Sequence, residues 1–208
     1  MQITHFGHAC VLIDTGAARL LLDPGSFSAG FEGLTGLDAI LVTHQHVDHL
    51  DAERLGGLLR ANPDARLVVD AGTAGQLGDV DHEQVSPGSA FEVAGARVEV
   101  LGGQHAVIHP DIPVIENNAY LVDGTHLHPG DSFTVPPAAV DVLFVPTGAP
   151  WLKLSEAVEY LRAVAPRTAV PIHEAVLADP AMHYGLFEKL APTGTALTVL
   201  DRGTPTPL

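Results

Sequence analysis

A single cysteine stands in 208 residues. Cys10 lies inside an apolar stretch and reads as a small buried hydrophobe, so a disulfide framework and a cysteine-rich zinc knuckle are both excluded. Cations are scarce as well: ten Lys and Arg stand against 25 Asp and Glu, for a formal net charge of −15. The ten are scattered, so no basic face exists to hold a phosphate backbone, and nucleic-acid binding is not expected. No apolar run approaches the roughly 20 residues of a membrane span, so no membrane partner is expected either. The opening residues, Met1-Gln2-Ile3-Thr4-His5, lack the basic region and long apolar run of an export signal, and the expected location is cytoplasmic. What is plentiful is core-forming material. Hydrophobic residues make up 46% of the chain and charged residues 17%, which fits one domain or two small halves sharing a core.

Short apolar runs separated by turn residues fill the first third. Gln2–Phe6, Ala9–Asp14 and Arg19–Leu22 read as strands, with Thr15-Gly16 as a hairpin turn and Asp23-Pro24-Gly25 as a stop. Ala39–Val42 is a further strand. Asp51 suits the N-cap of a helix over Ala52–Asn62, which Pro63 ends. Leu67–Asp70 reads as a strand and Thr73–Leu77 as a short helix. Hairpins are expected across Gly95 (Ser89–Val93 with Arg97–Leu101) and across Asp123-Gly124 (Asn118–Val122 with Thr125–His128). Val140–Val145, Ala169–Ile172 and Ala196–Leu200 read as strands, and Leu154–Ala165 and Pro180–Leu190 as helices. A comparable pattern of strands with inserted helices occurs twice. It predicts an α/β fold of two sheets packed face to face with helices outside, in a single domain over 1–208 built from two halves, about 1–105 and 106–208.

The most informative segment is Thr43-His-Gln-His-Val-Asp-His49. His44, His46, Asp48 and His49 fall in one loop fed by the Ala39–Val42 strand, an arrangement that gathers imidazoles and a carboxylate for a metal. Three further stations follow strand ends: His105 after Gly102-Gly103, Asp131 in His128-Pro129-Gly130-Asp131, and His173 after Val170-Pro171-Ile172. His109 rivals His105 on the same strand, but the Gly-Gly turn directly before it favours His105. Imidazole and carboxylate without thiolate suit Zn²⁺, Mn²⁺ or Fe²⁺ in a hydrolytic centre. Seven such ligands are too many for one tetrahedral ion and suit two ions about 3.5–4 Å apart.

The chain resembles the metallo-β-lactamase-fold hydrolases, and within them the small ascorbate-6-phosphate lactonase-like, metal-dependent hydrolase branch. The resemblance spans nearly the whole sequence. It rests on Ile3–Ala9 with its Gly7-His8, Leu20–Pro24 with its Asp-Pro turn, the Thr43–His49 signature, Tyr120–Asp131, Pro146-Thr147-Gly148 and Pro171-Ile172-His173. It implies a four-layer αββα sandwich. It also implies that His44, His46 and His105 hold one divalent ion, that Asp48, His49 and His173 hold a second, and that Asp131 bridges them, with Zn favoured over Mn or Fe. Asp48 and Asp131 would be the catalytic carboxylates around a bridging hydroxide, with a small-molecule substrate. Counting two divalent ions, these two carboxylates and the hydroxide leaves one positive charge, which favours an anionic ester, lactone or phosphoester. Asp23 is a candidate to hold a ligand histidine from behind, or a plain Asp-Pro turn. His8 and His128 are candidates for orienting a ligand or the substrate, or for structural hydrogen bonds. His5, His82, His126 and His183 carry no motif and read as surface or packing residues. Trp151 and Lys153 read as helix-entry residues or as a pocket wall. The segment Ala149-Pro150-Trp151-Leu152 departs from the methionine-containing segment of many relatives, so sugar-phosphate lactonase activity does not transfer. An iron-dependent redox enzyme on the same fold and a non-catalytic metal-binding module are the rival readings.

Overall fold

A computed structural model describes every residue from Met1 to Leu208. Two seven-stranded mixed sheets face one another. The first contains β1 (Gln2–His5), β2 (Val11–Asp14), β3 (Arg19–Leu22), β4 (Ala39–Leu41), β5 (Arg66–Val69) and β6 (Glu83–Gln84) in sequence order. β1 to β3 pair antiparallel, and β3 to β6 pair parallel. The second sheet contains β7 (Ala90–Val93), β8 (Ala96–Gly102), β9 (Asn118–Val122), β10 (His126–His128), β11 (Val142–Pro146), β12 (Thr168–Ile172) and β13 (Ala196–Leu197). The chain then returns to the first sheet, where β14 (Thr206–Pro207) pairs with β1.

The strands read as continuous apolar runs because both faces of each sheet are covered. Alternate residues serve different cores. Val11, Ile13, Leu20 and Leu22 of the first sheet meet Tyr120, Val122, Val142 and Phe144 of the second in the central core. Leu12, Leu21 and Ile40 point the other way, toward Leu55 and Leu58 of α1 (Ala52–Ala61) and toward α2 (Ala71–Leu77). Leu121, Leu143 and Val145 pack outward against Val158 and Leu161 of α3 (Leu154–Val164) and Phe187 of α4 (Ala181–Leu190). The layers are therefore helix, sheet, sheet, helix, the αββα sandwich expected from the sequence.

Local chemistry explains the element ends. Asp51 caps α1 by accepting from the Glu53 and Arg54 amides, and Asp70 caps α2 in the same way. Ala94-Gly95 and Asp123-Gly124 all take positive φ, as two-residue hairpin turns require. β13 is shorter than the expected Ala196–Leu200. Thr198 still donates to the Ala169 carbonyl, but the next rung would need a donor from Pro171, which has none. β6 and β14, two residues each, carry no alternating pattern and were not expected. No helix is long and apolar enough to cross a membrane.

Candidate metal centre

The loops leaving β1, β3, β4, β8, β10 and β12 converge at one end of the sandwich. They bring together two groups of four residues, His44, His46, His105 and Asp131 in one, and His8, Asp48, His49 and His173 in the other. Within each group the ligand-capable atoms lie within 4.8 Å of one another. All seven residues singled out as ligands are in these groups, and His8 is the eighth. His109 is exposed, and its ring nitrogen accepts from the Asp111 amide instead.

Asp131 sits between the groups. Its Oδ1 lies 3.0 Å from His49 Nε2 and 3.2 Å from His173 Nε2, while its Oδ2 faces His105 Nε2 at 3.3 Å and His44 Nε2 at 4.0 Å. One carboxylate oxygen is thus turned toward each group.

Three imidazoles are held from behind by their Nδ1–H. His49 donates to Asp23 Oδ2 at 2.7 Å, His105 to the Ala106 carbonyl at 2.5 Å, and His173 to the Gly148 carbonyl at 2.6 Å. This fixes the tautomer in which Nε2 carries a lone pair. His49 Nε2, His105 Nε2, His173 Nε2 and Asp131 Oδ1 are all buried and make no aligned hydrogen bond. Orphaned buried polar atoms are costly, and these, three imidazole nitrogens gathered around the Asp131 carboxylate, fit a group that supplies cations. His44 Nε2 and His46 Nδ1 stand 3.0 Å apart, a spacing suited to sharing one ion.

Asp23 serves as both turn and support. Its fully buried carboxylate also accepts from the Thr43 amide and hydroxyl, each at 2.8 Å, so one residue organises the start of the ligand loop. Gly25 beside it is obligatory, because a Cβ there would lie 1.8 Å from the Asp48 carbonyl oxygen. His8 Nε2 meets Asp48 Oδ2 at 3.0 Å and orients that carboxylate. His128 belongs to neither group of four. Its Nε2 donates to the Ala9 carbonyl at 2.9 Å and its Nδ1 accepts from the Gly130 amide, so it shapes the Asp131 loop as a structural hydrogen-bonder.

Two supports escaped the sequence reading. Trp151 donates its indole N–H to Asp131 Oδ2 at 2.8 Å, so it touches the central carboxylate rather than merely packing at a helix entry. A buried indole needs an acceptor, and that rule was the available signal. Asn117, fully buried, accepts from the Asp131 amide and donates to the Pro129 carbonyl. Nothing near Asn117 in sequence marks it. Lys153 is exposed and serves as the N-cap of α3, where its amide donates to Glu156.

The electrostatics follow the geometry. Burial would push Asp131 up, but His173 and His49 hold it well below the usual carboxylate range. Burial would also raise Asp48, yet the His8 hydrogen bond and the charges of His49 and His173 bring it to about 2. Both carboxylates are therefore anionic at any physiological pH. Burial drives His44 well below its ordinary value, leaving it neutral. Burial opposes a charge on His49, but Asp131 and Asp23 overcome it and hold its pKa well above the usual value. The same carboxylates that favour a proton there favour a metal cation more, since it carries twice the charge. His46 and Asp48 are half-buried while the other six are buried, so the centre opens to solvent at the His46–Asp48 edge.

A two-sheet sandwich with His/Asp groups gathered on its strand-end loops defines a metal-binding member of the metallo-β-lactamase class. The chain belongs to the β-lactamase superfamily, whose domain model matches residues 2–173. The match ends on His173, and Glu174 and the C-terminal segment lie beyond it. Protein Rv0786c of Mycobacterium tuberculosis is 54% identical over 93% of this chain and 94% of its own. A UPF0173 metal-dependent hydrolase of Methylobacterium nodulans is 26% identical over 97% of this chain and 92% of its own. Among solved structures, Igni18, a metallo hydrolase from Ignicoccus hospitalis, superposes with a TM-score of 0.76 at 20% identity, over 99% of this chain and 97% of that one. These matches place the chain in the superfamily without resolving the lactonase-like branch.

Proposed function

We propose that the protein is a metal-dependent hydrolase with a dinuclear centre, acting on a small ester, lactone or phosphoester. The observation that carries this reading is the convergence of His49 Nε2, His105 Nε2, His173 Nε2 and Asp131 Oδ1, four buried atoms without a hydrogen-bond partner. His44, His46 and His105 would hold one ion, and Asp48, His49 and His173 the other, with Asp131 contributing an oxygen to each. Two bound divalent ions, Zn being favoured by the donor set, would supply a nucleophile by lowering the pKa of water toward about 7 and would polarise the attacked oxygen.

The protein's own groups prepare that chemistry. Trp151 holds the Asp131 carboxylate through its indole N–H. His8 holds Asp48 at the open edge, where substrate enters. Asp23 keeps His49 in the tautomer that can bind an ion. No Ser-His-Asp nucleophile is called for, and the Ser132 hydroxyl is already engaged with the Pro129 carbonyl and Thr134. The preference for an anionic substrate rests on the charge of the ions. Counting the buried Asp23 with Asp48 and Asp131 makes that preference weaker than the ligand set alone implies.

The test is metal analysis of protein purified without added metal, joined to a screen of chromogenic esters, lactones and phosphodiesters. Two zinc or manganese ions per chain and turnover abolished by His46→Ala or Asp131→Asn are expected. Iron accompanied by oxygen consumption would move the assignment to redox chemistry. Wild-type rates in either variant would end the hydrolase reading.

A further inference from the structure

Two left-handed residues face each other across the His8–Asp48–His49–His173 group. His8 has φ 51° and His173 φ 63°, and their rings approach to 3.8 Å between centroids. Neither residue is glycine, so each conformation costs energy and persists only where its surroundings fix it. The fixing contacts are specific. The His8 carbonyl accepts from the His173 amide at 2.9 Å and from His5 Nε2 at 2.9 Å. The His8 amide donates to Glu174 Oε1 at 3.1 Å. Both polar atoms of the His8 backbone are therefore clamped, and Glu174, the residue directly after His173, is the clamp on the amide side.

Glu174 is buried, with its carboxylate only 7% exposed. A buried carboxylate needs a cationic partner, and one arrives from the far end of the chain. Arg202 Nη2 donates to Glu174 Oε1 at 2.9 Å. Its guanidinium lies on the backbone of Gly7, where a Cβ would come within 3.1 Å of the guanidinium carbon. The tail is tied down beside it, because the Gly203 amide donates to the His5 carbonyl and Thr206–Pro207 pairs with Gln2 and Ile3.

We propose that Glu174 and Arg202 form a positioning bridge that locks the facing His8 and His173 turns and makes the C-terminal segment part of the metal centre's support. The bridge acts on one side only: none of its contacts reaches His44, His46 or His105. Its metal readout rests on the dinuclear reading above; its backbone readout does not.

The experiment compares full-length wild type with Arg202→Met, which keeps the stem and removes the charge, with Arg202→Lys, and with Glu174→Gln. The first measurement is amide hydrogen exchange at His8 in chelator-treated protein, with Ile40 and Leu41 as core references. The second is a zinc titration against a chelating dye. In Arg202→Met, exchange at His8 rises about tenfold while the references stay unchanged. One zinc affinity falls about 10–100-fold, as for other residues that orient ligands, and the other zinc affinity is unaffected. Arg202→Lys recovers most of both effects. Glu174→Gln, which keeps an oxygen for the His8 amide but loses the charge, falls between wild type and Arg202→Met. Unchanged His8 exchange in Arg202→Met, or equal acceleration at the reference amides, overturns the bridge. Binding of a single zinc by wild type would remove the two-ion reading, and the His8 amide would still decide the bridge.

Discussion

Replacing Asp23 with Asn keeps the shape of the side chain and changes one oxygen to an N–H donor. In the native site Oδ1 accepts from the Thr43 amide, while Oδ2 accepts from the Thr43 hydroxyl and from His49 Nδ1–H. An amide offers only one acceptor oxygen. If that oxygen stays on the Thr43 amide, the new side-chain amino group opposes His49 Nδ1–H, and His49 escapes by moving its proton to Nε2. That atom is the one aimed at Asp131. A protonated Nε2 cannot bind a metal, so the ion held by His49 should weaken about 10–100-fold, or about 1.4–2.7 kcal/mol. Mismatched donors at a fully buried site should also cost about 1–3 kcal/mol of stability. For a chain of this length that lowers Tm by about 2–4 °C per kcal/mol. Zinc competition and thermal unfolding measure the two effects separately. The expected pattern is one weakened ion, one unaffected ion and a modest loss of Tm. An Asp23→Asn variant that bound both ions as tightly as wild type would refute the view that Asp23 sets the His49 tautomer.

Trp151 is the sole tryptophan, and its indole N–H is bonded to Asp131. Zinc titration should therefore change its emission in step with binding, and Trp151→Phe should lose that signal while weakening the ions about tenfold. Gly25→Ala should disrupt the ligand loop, because the new methyl would collide with the Asp48 carbonyl; denaturant unfolding should show a loss of about 3 kcal/mol or more. Burial without a partner for Nε2 pushes His126 from 6.5 to about 4. The unfolded chain then binds the extra proton first, so stability should fall as pH drops from 6.5 to about 4, by at most about 3 kcal/mol. His126→Gln should flatten that slope in urea titrations across the same window, and an unchanged slope would contradict it.

Much of the centre was legible before the fold because ligand stations follow strand ends and carry their own punctuation. Gly102-Gly103 before His105, Pro129-Gly130 before Asp131 and Pro171 before His173 are local signals. The supporting shell was not legible, because its contacts are distant along the chain. His8 meets Asp48 forty positions away, and Glu174 binds the His8 amide across 166 positions. His5, read as a surface or packing residue, is buried and bonded to the His8 carbonyl, a local contact that carries no motif. The main strands were readable from their apolar runs, whereas β6 and β14 exist only through the register of β5 and β1.

The loop Thr43–His49 gives two side chains to each group, His44 and His46 to one, Asp48 and His49 to the other. The spacing between the two stations is therefore written largely into seven consecutive residues anchored by Asp23. The contacts that steady Asp131 come from separate segments, the Ala106 amide on its carbonyl and the Trp151 indole on its carboxylate. The spacing of the stations and the steadying of Asp131 are thus divided between different stretches of chain. Changing those outer segments would leave the inter-station ruler untouched.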